Sequence, residues 1–125
     1  MIHSSGAGQR SPLSNKNEPV ISVVMAVYNE AKYVKGAIDS ILSQSFKNFE
    51  FIIVDDGSID NTNIIILAYK DDRIKFFRIE HGGLPKALNF GIEQARSSLI
   101  ARMDGDDISF SARLEKQIKF LHNNL

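Results

Sequence analysis

The sequence predicts an α/β fold in which a sheet of four parallel strands is flanked by helices. Four apolar segments rich in β-branched residues alternate along the 125 residues with four segments in which apolar residues recur at helical spacing. Strands that are apolar on both faces are typical of a parallel sheet covered by helices, and crossovers between such strands are right-handed. We therefore expect residues 20–125 to form one α/β domain without an internal repeat.

The predicted strands are short and almost uniformly apolar. Residues 20–27 read Val, Ile, Ser, Val, Val, Met, Ala and Val, which is typical of a strand buried on both faces. The other strands are predicted at 49–54, 74–79 and 99–103. Each is followed by polar, turn-forming residues that mark its end.

The predicted helices carry apolar residues that share one face. They are placed at 31–45, 62–69, 84–95 and 114–125, with Leu125 as the last residue of the fourth apolar stripe. The second of them contains three consecutive isoleucines, 64–66, which taken locally favour a strand. We predict a helix there nonetheless.

Composition and charge exclude several functional classes. Fifteen basic and fifteen acidic residues leave no net charge, which disfavours a nucleic-acid partner. The absence of cysteine excludes disulfides and cysteine-based zinc sites. The longest apolar run, 64–68, is far too short for a membrane span. Residues 1–19 lack the apolar segment of a signal peptide, so we expect a disordered leader on a soluble, cytoplasmic domain.

The stretch 99–107 is the strongest functional signal, because an apolar run ends in three carboxylates within four positions. In extended backbone Asp104 and Asp106 would leave the chain on the same side, with Cα atoms roughly 7 Å apart. Gly105 between them allows a turn or the close approach of a ligand. Carboxylates this close repel one another, and Mg²⁺ or Mn²⁺ held together with phosphate oxygens is their natural partner.

Two other interpretations apply to the same stretch. Asp and Gly are also the residues of ordinary turns, and this alternative stays open. An EF-hand loop would place Glu115 at its twelfth position, but it requires an oxygen ligand and then a glycine where Ile108 and Ser109 stand. The sequence therefore excludes an EF-hand.

Polar segments follow all four predicted strands, at 28–30, 55–56, 80–83 and 104–107. In an open α/β sheet, ligands bind at the carboxyl ends of the strands, where these segments meet. The first segment contains no glycine, which excludes a dinucleotide fingerprint and a Walker-type phosphate loop. An acidic edge would hold a diphosphate only through a bridging cation, so a nucleoside diphosphate with a metal ion fits this edge.

Several side chains at this edge are candidates for contact with such a ligand. Tyr28 could stack on a base, and Asp56 could accept an N–H from it. Gly82 and Gly83, just before a helix, could admit a phosphate or sugar close to the backbone. The alternative for Tyr28 is a plain loop aromatic.

For other residues a structural interpretation is favoured. Asp55 is interpreted as a turn partner at a strand end, and His81 as a solvated loop side chain. Lys86 and Arg113 are interpreted as helix-surface charges, although either could face an anionic ligand.

Two further functional classes are compatible with an acidic sheet edge. A receiver-type signalling domain needs an acid pair after its first strand and an aspartate after its third. Here the pair follows the second strand and Glu80 follows the third, which disfavours that class. A sugar-nucleotide-binding or assembly module without turnover is the remaining alternative.

Five segments, in this order, resemble the family 2 glycosyltransferases of the GT-A fold. They are residues 22–30, 40–46, 51–58, 87–92 and 101–109. The resemblance implies a Rossmann-like nucleotide-binding half and transfer of a sugar, with inversion, from a nucleotide-sugar donor to an acceptor hydroxyl. The donor is usually a UDP-sugar, bound with Mn²⁺ or Mg²⁺ at an Asp-x-Asp motif.

By motif position, the resemblance implies a role for each matching residue. Tyr28 would border the uracil, Asp56 would accept its imide N–H, and Asp104 would lie near the ribose and donor sugar. Asp106, with Asp104, would reach the metal. The full nucleotide-binding set implied is Ala26, Tyr28, Glu30, Asp56, Gly83, Asp104 and Gly105.

The chain departs from the family pattern at three positions and in length. His81 stands where asparagine is frequent, Ser97 where glycine is common, and Ser111 where a proline is usual. In the family the domain continues into an acceptor-binding half that carries the catalytic base. We therefore expect a fragment that transfers sugar poorly or not at all, with the base beyond Leu125, and whose exposed apolar surface favours self-association. The acceptor, whether glycan, lipid or protein, stays open.

Overall fold

A computed structural model describes residues 2–4 and 18–123 of the chain. The strands are β1 (Ile2–Ser4), β2 (Ile21–Val27), β3 (Phe49–Asp55), β4 (Ile74–Arg78) and β5 (Leu99–Asp104). The helices are α1 (Val34–Leu42), α2 (Thr62–Leu67), α3 (Leu84–Glu93) and α4 (Arg113–Asn123). The sheet order is β1-β5-β2-β3-β4, and β2 pairs in parallel with both β3 and β5, as does β3 with β4. The predicted four-stranded parallel sheet with flanking helices is confirmed.

Helices α1, α2 and α3 are shorter than predicted, whereas the strands agree to within one residue at each end. Helix α1 begins at Val34 rather than at residue 31, because the preceding residues form a turn. The carbonyl of Glu30 accepts hydrogen bonds from Tyr33 N at 2.9 Å and Val34 N at 2.8 Å. Leu125, expected in the last apolar stripe, lies outside the described residues.

Helix α2 confirms the helical prediction for the isoleucine run. Ile66 is 1% exposed and packs in the core, whereas Ile64 is 63% exposed. In a strand, residues two apart would share one face, so this burial difference belongs to a helix. The burial of Ile66 against the sheet outweighs the local β propensity of the three isoleucines, so the segment is helical.

The predicted leader differs from the structure at its start. Residues 2–4, which the prediction placed in a disordered segment, form β1, an antiparallel neighbour of β5 in which Ile2 lies opposite Ala101 and Ser4 opposite Leu99. A four-stranded sheet would leave the backbone groups of β5 unpaired along one side, and β1 pairs with this side over residues 99–101. Residues 1 and 5–17 of the predicted leader lie outside the described part of the chain.

The sheet has a hydrophobic core on each face. The larger core joins alternate residues of the strands, such as Val23 and Phe51, to α1, α2 and the first turn of α4. The smaller core joins the intervening strand residues, such as Val24 and Val54, to Ala87 of α3. All seven residues of β2 are buried, as expected of a central strand covered on both faces.

Some large apolar side chains near the end of the described chain stay exposed, namely Ile108, Phe110 and Phe120. Self-association through such surface stays a prediction.

None of the helices within residues 18–123 is long and apolar enough to cross a membrane.

A glycine permits the close packing of α3 on the sheet. A Cβ at Gly91 would lie 2.6 Å from Val24 Cγ1 and 3.0 Å from Val54 Cγ2. We expect Gly91→Ala to lower the free energy of unfolding by about 1–3 kcal/mol, because α3 must move outward or the valines must leave their rotamers. Urea denaturation measures this loss.

Gly36 of α1 provides the matched control. A Cβ at Gly36 would meet only Ile108 Cδ1, at 3.0 Å, the far end of a side chain that is 69% exposed. Gly36→Ala should therefore be neutral or stabilise the chain by up to about 1 kcal/mol. Unchanged stability of Gly91→Ala would contradict the packing described for α3.

Candidate functional site

Three carboxylates gather in the turn that follows β5. Asp104, Asp106 and Asp107 each place an oxygen within 4.8 Å of the others, and all three residues are exposed. Asp107 N donates to the Asp104 carbonyl at 3.1 Å, and Asp104 N donates to Asp107 Oδ2 at 3.1 Å. The backbone therefore turns after Asp104 instead of extending. This turn adds Asp107 to the pair that the sequence predicted.

A fourth carboxylate, Glu30, faces this cluster from the loop after β2. Burial raises the pKa of Glu30, and the charges of Asp106 and Asp104 raise it further. Hard oxygen donors that repel one another in this way suit a divalent cation such as Mg²⁺ or Mn²⁺. The residues present therefore fit the metal that the sequence predicted.

Gly105 has a packing reason for being glycine. A Cβ there would lie 2.6 Å from Val27 Cγ1 and 3.2 Å from Glu30 Cγ. The turn after β5 is thus pressed against the end of β2, which holds Glu30 beside the aspartates. Its expected contact with nucleotide stays a prediction.

Ala26 lies next to Asp104 because the two residues are partners in the β2–β5 register. A cavity of about 310 Å³ adjoins this position and is lined by Leu88, Arg102, Met103, Asp104 and Asp107. A neighbouring cavity of about 200 Å³ reaches Ala26. Arg102, which the sequence analysis did not single out, thereby places a cation beside the acidic turn.

Asp56 is buried and accepts three hydrogen bonds from the loop before α3. Its Oδ1 accepts from Gly82 N at 2.9 Å, and its Oδ2 accepts from Gly83 N at 2.9 Å. His81 Nδ1 lies 2.8 Å from the same Oδ2, and it must carry the proton because a carboxylate only accepts. Burial alone would raise the pKa of Asp56, but these donors outweigh it and lower the pKa. Asp56 is therefore a charged anchor for this loop.

The loop before α3 differs from its predicted environment in two respects. The N–H groups of Gly82 and Gly83 point at Asp56, so in this structure they are occupied by protein rather than open to phosphate. His81 was expected to be a solvated side chain. It is 55% exposed, yet it bonds to Asp56 and stacks on Tyr28 with ring centroids 4.1 Å apart and planes inclined by 20°.

Asp55 is a turn partner, as predicted. Its buried carboxylate accepts from Ser58 N at 3.0 Å and pairs with Arg78 Nη1 at 3.2 Å.

Arg113 is tied to the acidic loop rather than free on a helix surface, since it donates to the Arg102 carbonyl and to Ser109 Oγ at 3.0 Å each. Burial lowers the pKa of Arg113, although the negative charge of Asp107 acts to raise it.

Lys86 is exposed at the start of α3, and its side chain lies beside Gly82.

The loops after β2 and β3 hold one another through polar side chains that the sequence analysis did not single out. Asn29 N donates to Ser58 Oγ at 2.8 Å, and Asn29 Oδ1 accepts from Ile59 N at 2.9 Å. Asn29 has a φ of 52°, a left-handed conformation that asparagine tolerates better than most residues. Glu30 N donates to Thr62 Oγ1 at 2.9 Å. These bonds fix Tyr28 and Glu30 relative to Asp56.

The family model for glycosyl transferase family 2 matches residues 22–125. The chain belongs to this family. The match covers all four parallel strands and every loop of the carboxyl edge, so the resemblance found in the sequence is confirmed.

Named relatives of this family 2 chain are bacterial glycosyltransferases. It is 41% identical over 108 residues to an uncharacterized glycosyltransferase of Rickettsia typhi, covering 86% of this chain and 34% of the relative. It is 44% identical to the putative glycosyltransferase EpsE of Bacillus subtilis, covering 85% and 40% of the two proteins. It is 43% identical to the O-antigen biosynthesis glycosyltransferase WbnJ of Escherichia coli, covering 84% and 42%. The chain thus spans well under half the length of these relatives.

Solved structures agree on the fold. TarS 1–349 of S. aureus in complex with UDP superposes with a TM-score of 0.77 at 29% identity, covering 82% of this chain and 32% of that one. Its complex with UDP-GlcNAc gives a TM-score of 0.77 at 30% identity, covering 82% and 31%. The mannosyltransferase PcManGT of Pyrobaculum calidifontis, in complex with GDP-Man and Mn²⁺, shares the fold at 24% identity with a TM-score of 0.75, covering 83% and 32%.

The structure gives a reason for the glutamine in the family segment 40–46. Gln44 is fully buried, and its Nε2 donates to the Phe110 carbonyl at 2.6 Å while its Oε1 accepts from Leu114 N at 3.1 Å. It therefore fastens the loop after the acidic turn, and the first turn of α4, to the end of α1. The signal in the sequence is a polar residue two positions after the last residue of an apolar helical stripe.

Replacing Gln44 should release this fastening. We expect Gln44→Leu to lower the free energy of unfolding by about 2 kcal/mol or more, because the buried Leu114 N–H and the partly buried Phe110 carbonyl lose their partners. Gln94→Leu, an exposed glutamine at the end of α3, is the control and should change stability by less than about 0.5 kcal/mol. Urea denaturation measures both, and an equal effect of the two substitutions would contradict the role of Gln44.

The lowered pKa of Asp56 makes stability depend on pH. The folded-state pKa lies below the ordinary 3.8, so ionised Asp56 stabilises the fold above that pH, and this stability is lost as pH falls through the folded-state pKa. At pH 7 we expect Asp56→Asn to cost about 2 kcal/mol, because its charge-assisted hydrogen bonds are weakened. Thermal unfolding of both proteins should show this difference shrinking below about pH 4. A difference that stays constant into acid would contradict the assignment.

Proposed function

We propose that this chain is the donor-binding part of an inverting, metal-dependent glycosyltransferase that uses a nucleotide-sugar, with a UDP-sugar as the donor. The observation that carries the proposal is the cluster of Asp104, Asp106 and Asp107 at the carboxyl edge of a family 2 sheet. The complexes of TarS with UDP and UDP-GlcNAc support a uridine nucleotide, since that protein shares this fold at 29–30% identity.

In this proposal the acidic turn holds the cation. Asp104 and Asp106 are its ligands, and Asp107 offers a third oxygen within the same 4.8 Å. When bound, Mn²⁺ or Mg²⁺ would neutralise charge on the leaving diphosphate. Glu30 sustains the negative potential of the site from the opposite loop, which favours cation binding.

The other proposed contacts follow from position. Ala26 and Gly105 line the approach to Asp104 at the junction of β2 and β5. Tyr28, Asp56 and Gly83 form the end of the site that takes the base. Arg102 faces the cavity beside Asp104, where a guanidinium suits phosphate or sugar oxygens.

We assign no residue within 18–123 to binding or activating the acceptor. A general base must remove the proton of the acceptor hydroxyl as that oxygen attacks the anomeric carbon. We therefore propose nucleotide binding for residues 18–123, with weak or absent sugar transfer by this chain alone.

Replacement of Asp106 tests the metal site. We expect Asp106→Asn to weaken Mn²⁺-dependent binding of UDP by roughly tenfold or more, because a ligand oxygen loses its charge. Asp106 is exposed and is not used in the hydrogen bonds of the turn, so the fold should persist. Calorimetric titration of UDP with and without Mn²⁺ measures the effect.

Asp72→Asn is the control, since Asp72 is an exposed aspartate before β4, at the opposite edge of the sheet. It removes the same charge and should leave binding unchanged. Equal Mn²⁺-dependent binding by Asp106→Asn and the unaltered chain would refute the metal assignment. Absence of UDP binding in every condition would refute the proposed function.

A further inference from the structure

His81 makes the two contacts that the proposed function assigns to a base. Its imidazole is stacked on Tyr28 with ring centroids 4.1 Å apart, and its Nδ1 lies 2.8 Å from Asp56 Oδ2. A uracil ring bordered by Tyr28 and donating its imide N–H to Asp56 would need the same face of the tyrosine and the same carboxylate oxygen. Both rings are flat and both present an N–H donor at the rim.

We propose that the His81 side chain occupies the base subsite of the free protein and is displaced by the base of the incoming nucleotide. This inference rests on the proposed function. His81 is then an internal competitor that sets the affinity and the selectivity for the nucleotide. In the free protein the His81 ring makes the contacts with Tyr28 and Asp56 that the base would make in the complex.

The loop backbone around His81 is held independently of its ring. Gly82 N and Gly83 N each donate to Asp56. On the other side, the backbone N of His81 is packed so close to Gly57 that a Cβ on that glycine would lie 2.9 Å from it. The imidazole itself is 55% exposed. Rotation about the Cα–Cβ bond can therefore remove the ring while the loop stays in place.

Departure of the ring leaves one acceptor position free on a buried carboxylate. Asp56 Oδ2 accepts from both His81 Nδ1 and Gly83 N, so one of these two bonds remains. A buried acceptor without a partner is costly, so a ligand must bring an N–H to this point. Uracil brings one on its imide, together with a flat face for Tyr28. A ligand without a base, such as pyrophosphate, can neither displace the ring nor replace it.

The opposite role for His81 would be to hold Asp56 in position for the nucleotide. The two roles differ in sign. Removing a competitor tightens binding, whereas removing a positioning residue weakens it.

The test compares UDP binding by the full chain and by His81→Ala in saturating Mn²⁺, measured by calorimetry. We expect His81→Ala to bind UDP roughly three- to tenfold more tightly, which is the effect of removing one stacked, hydrogen-bonded competitor. Mn²⁺–pyrophosphate affinity should be the same for both proteins. Glu80→Ala, at the exposed neighbouring position, is the matched control and should leave UDP affinity unchanged.

A second variant and an NMR measurement test the same proposal independently. His81→Phe keeps a flat ring but has no N–H, and should give an affinity between those of the unaltered chain and His81→Ala. Because the chain has 3 histidines, NMR can follow the His81 ring, which should shift when UDP is added and not when pyrophosphate is added. If His81→Ala does not fold, His81→Val, which also lacks a flat ring and an N–H donor, replaces it, with the same expectation.

The outcomes separate this inference from the proposed function. UDP binding that is unchanged or weaker in His81→Ala overturns the role of His81 and leaves the proposed function standing. UDP binding by His81→Ala but not by the unaltered chain supports the inference. Failure of every variant to bind UDP overturns the proposed function, and the inference with it.

Discussion

A single buried carboxylate joins two of the loops on which the site depends. Asp56, the first residue after β3, is fully buried and holds the segment 81–83 by three hydrogen bonds. A buried charge is tolerable only when its oxygens are satisfied, and here the backbone N–H groups of two glycines satisfy them. The start of α3 is thereby fixed to the end of β3. These bonds fix the backbone of residues 81–83 relative to the end of β3.

The acidic turn after β5 is built on a different principle. Its carboxylates are exposed and repel one another, and its position is imposed by neighbours on both sides. Gly105 presses it against Val27, and Gln44 fastens the loop that follows it. The fold thus holds like charges together at one end of a sheet whose core supplies the necessary stability. A divalent cation would relieve this repulsion, so the proximity of these carboxylates supports the cation site of the proposed function.

Much of this architecture was predictable from the sequence. Uniformly apolar strands and periodic helices predicted the sheet, and the rule that ligands bind at carboxyl strand ends predicted where the polar residues would meet. The partners of Asp56 were not predictable, because its bonds span 25 to 27 residues and local spacing carries no record of them. Asp107 was counted among the carboxylates but was not predicted as a metal ligand, because extended geometry was assumed where the chain turns. Strand β1 was missed because pairing along an open edge depends on the finished sheet.

That first strand has a consequence for the acidic turn. With β1 in place, β5 lies between two neighbours, since β1 pairs along one side and β2 along the other. β5 is therefore an interior strand over residues 100–101, where its amides should be shielded from exchange with solvent deuterium, and the β2 pairing alone continues to Asp104. The acidic turn is a short segment that follows a strand held in the sheet. Its carboxylates can adjust to an ion by moving within the turn, while the strand that carries them stays in register.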